Sequence, residues 1–273
     1  METIVPILIF FFGTIIGSFL NVVILRYRSG RGLGGRSACF TCDKKLGAAE
    51  LVPIGSYLTQ GGKCTGCGSK ISIQYPVVEA LTGFIFVALF FRFGYLLMPE
   101  PILFAVLFAY FACMLCLLIV MSVYDIRHKI LPDRLTVLFA SAAFIGMFFI
   151  QGDAIVLHLP KLSQFLAGIL LPAPFTALWY VSKGKWMGLG DAKLMVGIGF
   201  LLGISSGVMA ILLSFWIGAI FGVALLVLAP LFAKGKVSLK TAVPFGPFLA
   251  LGTAVTMLFQ LDLLSLFHFV GGF

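Results

Sequence analysis

The sequence predicts an all-α polytopic membrane protein of about eight transmembrane helices, with a small zinc-ribbon-like cytoplasmic insert. Three observations carry that expectation. Only 11% of the 273 residues are charged, against about 25% in soluble domains, and the mean hydropathy is +1.13. Apolar runs of membrane-spanning length recur along the chain. One polar stretch, between the first two runs, carries four cysteines in two pairs.

The apolar runs place spans near residues 4–25, 77–97, 101–124, 135–151, 162–181, 192–204, 207–229 and 245–268. The chain then divides into a first span (1–25), a tetracysteine insert (26–76) and a membrane core (77–273). Loops 26–76, 125–134, 182–191 and 230–244 fall on one side and, with Lys193, hold 17 of the 19 Lys and Arg. Only Arg92 and Lys161 lie towards the other. Cytoplasmic loops collect basic residues, so these loops are expected in the cytoplasm and both termini outside. The net charge of +9 then reports topology and contact with a lipid bilayer, and no nucleic-acid partner is expected. The first run follows Met-Glu and precedes Arg26, Arg28 and Arg31, the reverse of a signal peptide's charge order. It is expected to stay as a span. Gly197, Gly199, Gly203, Gly218 and Gly222 suggest close helix packing, or simply the abundance of glycine in membrane helices.

In the insert, Cys39-Phe-Thr-Cys42 and Cys64-Thr-Gly-Cys67 are separated by 21 residues. Each pair can sit on a tight turn that points two thiolates at one metal, and two such turns complete a tetrahedral site. Four thiolates leave no open position for a substrate water, so the metal, zinc, is expected to be structural. An insert of roughly 40 residues builds little core, and metal binding supplies the missing folding energy. The competing readings are four unrelated thiols or two disulfides, the latter rare in a reducing cytosol. Cys113 and Cys116 lie inside the third span and read as small buried hydrophobes.

Two acids stand out. Asp125 closes the third span in Ser-Val-Tyr-Asp125-Ile-Arg, and Asp191 opens the sixth in Gly188-Leu-Gly190-Asp191-Ala-Lys193. Both fall at the same predicted depth, where an ionisable group is costly enough to be a functional candidate. Brought together they could share one proton, one acting as base on a water and the other polarising a carbonyl. Gly188 and Gly190 give the chain room to leave helical geometry before Asp191. The plainer reading pairs these acids with Arg127, Lys129 or Lys193, or makes them helix caps. Asp133 reads as the N-cap of the fourth span, and His128 as an interfacial residue.

These segments, with Gly17-Ser-Phe-Leu-Asn-Val-Val-Ile24, Glu50-Leu-Val-Pro-Ile-Gly-Ser-Tyr57, Tyr75-Pro-Val-Val-Glu79, Leu131-Pro132-Asp133 and Val243-Pro-Phe-Gly-Pro-Phe248, occur in order along nearly the whole chain. The ordered set resembles the type IV prepilin peptidases, bifunctional leader peptidase/N-methyltransferases of the bacterial inner membrane. Phe40 stands where many members have proline, and Glu50 where aspartate is usual. The resemblance implies a Gly-x-Gly-Asp aspartic protease with Asp125 and Asp191 as its catalytic carboxylates. Its implied substrates are prepilins and pseudopilins, cut after a glycine between a short basic leader and the apolar segment. It also implies methylation of the new N-terminus from S-adenosylmethionine, a trait of members with the tetracysteine insert. No glycine-rich nucleotide fingerprint marks where that donor would bind, and Glu79 is a candidate for that half or for pairing with a nearby cation. The alternatives are a cleavage-only peptidase and, in another class, a cation- or proton-coupled transporter.

Overall fold

A computed structural model describes residues 4–30, 32–232 and 243–263. Arg31, most of the 230–244 loop and the far end of the 245–268 span lie outside the described residues. The chain forms two compact units, Met1–Val120 and Met121–Phe273.

In the first unit, α1 (Ile4–Arg26) packs along α3 (Gln74–Phe93). At about 1.5 Å per residue each is long enough for a bilayer core of about 30 Å. Small residues let the two backbones touch. A Cβ on Gly13 would lie 2.8 Å from Gly83 Cα, and one on Gly17 would lie 2.7 Å from Glu79 Cα. Lipid gives two apolar helices no hydrophobic reason to associate, so such close packing has to supply it. Asn21, only 1% exposed, donates to the Tyr75 carbonyl at 3.2 Å and accepts from Gln74 at 3.2 Å. An amide left unpaired there would be costly. Between α1 and α3 the insert holds one 3-10 turn (Ala48–Leu51) and the short helix α2 (Gly55–Thr59).

The helix α4 (Pro101–His128) carries the division between the units. The second unit continues with α5 (Asp133–Phe149), a two-stranded hairpin of β1 (Ile150–Gln151) and β2 (Ala154–Ile155), α6 (Leu162–Leu170) and α7 (Ala173–Ser182). It ends with α8 (Leu189–Phe232) and α9 (Gly246–Phe259). α8 is central and packs against α5, α6, α7 and α9. Straight, its 44 residues would reach about 66 Å, more than twice the bilayer core. It breaks at Gly203, where φ is 74° and ψ −171°, a conformation only glycine adopts readily. The expected spans 192–204 and 207–229 are therefore two limbs of one interrupted helix. The expected fifth span is likewise divided into α6 and α7 at Pro172, which lacks an N–H to continue the ladder. The hairpin was not anticipated; Gly152 turns it at φ 61°.

Among the described residues the architecture is helical apart from that hairpin and two isolated β-bridges in the insert, Ala38 with Lys45 and Lys63 with Lys70, and five described segments are long and apolar enough to cross a membrane. They are Ile4–Arg26, Gln74–Leu96, Pro101–His128, Leu162–Ser182 and Leu189–Val227. The glycines of α8 divide between the two readings. A Cβ on Gly197 would strike Phe139 at 2.5 Å, and one on Gly199 the Ala167 carbonyl oxygen at 2.5 Å, whereas one on Gly222 would meet nothing within 4 Å. Gly199→Ala is therefore expected to destabilise the protein by about 1–3 kcal/mol through overpacking. Gly222→Ala should be neutral or stabilise by up to about 1 kcal/mol. Thermal unfolding in detergent measures both, and equal effects would contradict this packing.

Candidate active site

Asp125 sits in the last turn of α4, inside the helix rather than in the loop expected from residue 125 onward. The Lys129 N–H bonds the Asp125 carbonyl at 2.7 Å, and Lys129 turns the chain at φ 55°. Leu131 and Pro132 then lead into α5, and the Leu131 side chain is buried. It touches both neighbouring motifs. A Cβ on Gly190 would lie 3.0 Å from Leu131 Cβ, and one on Gly246 would lie 3.3 Å from Leu131 Cδ2 and 2.7 Å from Asp125 Oδ2. Asp191 follows Gly190 as the third residue of α8, is half-buried, and lies within Coulombic reach of Asp125. Three distant segments thus meet around Leu131: the end of α4, the start of α8 and the start of α9.

Their polar contacts differ from the expected ones. Asp125 is 6% exposed and accepts the Gly246 backbone N–H on Oδ2 at 3.2 Å. Neither Asp125 nor Asp191 has an ion-pair partner among the described residues; Lys193 instead binds Asp133, Nζ to Oδ1, at 2.7 Å. Asp133 is not the N-cap of α5. That position is Pro132, with no side-chain cap bond, and Asp133 is the first helical residue, where its charge suits the helix dipole. No loop precedes Asp191 directly, because α8 begins at Leu189. Gly190 is helical, and it serves close approach to Leu131 rather than a break. His128 is exposed and lies against the Tyr124 ring at 4.3 Å. Gly246 and Leu131 were not singled out as site residues. The one available signal was Gly246-Pro247 opening an apolar helix, and it says nothing of what the glycine N–H meets.

In the first unit the Sγ atoms of Cys39, Cys42, Cys64 and Cys67 all lie within 4.8 Å of one another. Cys39 and Cys67 are 3.9 Å apart, Cys42 and Cys64 4.0 Å. A tetrahedron of sulfurs at a Zn–S distance of about 2.3 Å has edges of about 3.8 Å, so this donor set fits a tetrahedral metal. The backbone N–H of Thr41 donates to Cys39 Sγ, and that of Gly66 to Cys64 Sγ, each at 3.4 Å. With help from Cys42 and Ser69, the Thr41 donor pulls the Cys39 thiol down to about 6, favouring the thiolate that binds metal. Glu50 ties the two knuckles together. It binds Lys44 at 2.8 Å, the Gly47 N–H at 2.9 Å and the Thr65 hydroxyl. Lys44, Thr65 and Gly47 together hold its carboxyl down to about 2.

Among the described residues Glu79 pairs with no cation. Its buried carboxylate accepts the Ile54 N–H at 2.7 Å and the Ser18 hydroxyl, holding the insert where Ile54 adopts φ 59°. Cys113 is exposed on α4 and Cys116 half-buried, and neither joins the cluster.

Residues 11–93 match the Bacterial Peptidase A24 N-terminal domain, and residues 112–223 the Type IV leader peptidase family. A prepilin leader peptidase/N-methyltransferase of Bacillus subtilis is 32% identical over 95% of this chain and 96% of its own length. Proteins of the same description from Xanthomonas campestris and Pseudomonas aeruginosa are 32% and 29% identical, covering 93% and 90% of this chain and 91% and 87% of their own. No solved structure matches. The chain belongs to the type IV leader peptidase family, a family of membrane peptidases, and the transporter alternative is set aside.

Leu131→Ala removes the side chain around which the three segments meet. It is expected to cost about 2–4 kcal/mol, read by thermal unfolding, and a change below about 0.5 kcal/mol, typical of surface positions, would contradict that packing.

Proposed function

We propose that the chain cleaves the short basic leader from prepilins and pseudopilins, with Asp125 and Asp191 as its catalytic carboxylates. The observation that carries this reading is the meeting of the two acid-bearing segments at Leu131, with Asp191 in Coulombic reach of a buried Asp125. Like charges so close do not both ionise easily, so the pair holds one proton between them. The ionised carboxylate takes a proton from a water, and the water oxygen bonds the scissile carbonyl carbon. The protonated partner gives its proton to the carbonyl oxygen. The diol then collapses: the carboxyl that took the water proton gives it to the leaving amine as the C–N bond breaks, and one diol hydroxyl gives its proton to the other carboxylate, so the pair again holds one proton.

The position of the acids suits such a substrate. Both lie in the end turns of apolar helices, so the substrate's apolar segment can stay in lipid while its leader enters water. The clustering of basic residues in the loops supports a cytoplasmic location for them, and the relatives' description supports a bacterial inner membrane as the setting. We divide the chain into a first span (1–25), the insert (26–76) and a protease core (77–273).

Cys39, Cys42, Cys64 and Cys67 would hold zinc, whose bonds to four thiolates supply folding energy to the insert when it is bound. The relatives' name also assigns them N-methyl transfer, and we extend it to this chain with S-adenosylmethionine as donor.

Asp125→Asn and Asp191→Asn are each expected to lower leader cleavage of a purified prepilin by at least about a thousandfold, the order seen when a member of a catalytic unit is removed. Cleavage at the parent rate by either variant would defeat the assignment. Cys64→Ser should remove bound zinc, measured by elemental analysis, and lower methylation of the processed N-terminus more than cleavage; full zinc occupancy would contradict the proposed ligand set.

A further inference from the structure

We propose that Gly246 is a positioning residue whose backbone N–H keeps Asp125 the ionised member of the pair, so that Asp125 is the base and Asp191 carries the shared proton. This inference rests on the proposed reading of Asp125 and Asp191 as a catalytic pair.

The argument begins with the donors at the start of α9. The first turn of any helix leaves N–H groups without intrahelical partners. Here Pro247 has no N–H, and the N–H groups of Phe248 and Leu249 bond the Phe245 carbonyl at 3.0 and 3.1 Å. The Gly246 N–H is therefore the one directed outward, and it meets Asp125 Oδ2 at 3.2 Å in a buried setting. The positive end of the α9 dipole points the same way. A donor fixed on Oδ2 favours the carboxylate over the acid. Asp191 has no comparable partner: among the described residues its carboxyl makes no hydrogen bond, and its principal electrostatic neighbour is Asp125. The asymmetry decides which acid takes the proton.

Among the described residues, the surrounding charges do not reverse this. On the segment of Asp125 itself, Arg127, His128 and Lys129 are exposed. On α5 and α8, Asp133 and Lys193 neutralise one another at 2.7 Å, and Arg134 is exposed. α9 carries no charged residue. The glycine itself is required by space. A Cβ at position 246 would lie 2.7 Å from Asp125 Oδ2, so any side chain there drives the carboxylate from its donor.

The test removes the N–H without adding a side chain. Replacing Gly246 by glycolic acid in cell-free synthesis turns the amide linking it to Phe245 into an ester. A matched ester at Leu249 deletes a different first-turn N–H and leaves that of Gly246 in place. If Gly246 acts as proposed, its ester moves the acid limb of the kcat/KM profile for leader cleavage upward by about one to two pH units, with activity recovered on raising the pH. The Leu249 ester should leave that limb where it is. An unmoved limb in the Gly246 ester, an equal movement in both esters, or inactivity of the folded Gly246 ester at every pH would each overturn the proposal. Gly246→Ala, which keeps the N–H but crowds the carboxylate, should shift the limb in the same direction. Loss of activity in Asp125→Asn and Asp191→Asn with an unmoved limb sinks only the assignment of roles. Retained activity in those variants sinks the catalytic pair itself.

Discussion

A carboxylate buried at the end of a membrane helix must meet a donor or give up its charge. Asp125 meets one backbone N–H, from Gly246, and much of the second unit is arranged so that it can. The left-handed turn at Lys129 brings Leu131 back beneath the end of α4. Leu131 then fills the space between the start of α8 and the start of α9, and both of those segments carry glycine where they approach it. The Asp133–Lys193 pair ties the first turn of α5 to that of α8. Exposed ion pairs contribute little stability, and the value of this one lies in register, since it engages Lys193 with Asp133.

The first unit solves a different problem. A short polar segment between two membrane helices has almost no apolar core of its own, so its order comes from specific polar links. Glu50 joins the two cysteine knuckles, and the cysteines converge to a spacing suited to one metal. Glu79, on the buried side of α3, holds the Ile54 backbone at φ 59° and ψ −51°, a positive-φ conformation that a β-branched residue adopts only under constraint. The membrane helices and the insert are thus connected through one carboxylate as well as through the chain.

Much of this was legible in the sequence, because hydropathy and residue type report it directly. The limits of α1, α3 and α5 fall within a few residues of the expected spans, and the break in α8 falls at a glycine near the predicted boundary. The four cysteines announced their cluster by spacing. What escaped was set by the backbone. The Gly246 N–H, the Ile54 N–H and the Gly190–Leu131 contact involve groups that every residue carries or that glycine lacks, so no residue type advertises them. The plainer reading, which paired Lys193 with one of the two acids, failed for a related reason: its partner Asp133 lies 60 residues away in the chain, and only the packing of α5 against α8 brings the two together.

The central claim is that the two carboxyl groups act on one reacting centre. A structure of the enzyme in a lipid nanodisc, bound to a leader peptide whose scissile amide is replaced by hydroxyethylene, tests it most directly. The account predicts that the hydroxyl oxygen of that mimic lies within hydrogen-bonding distance of both Asp125 and Asp191, with Gly246 N–H still on the outer oxygen of Asp125. A hydroxyl held by one acid alone, or acids turned away from each other around the bound peptide, would contradict it.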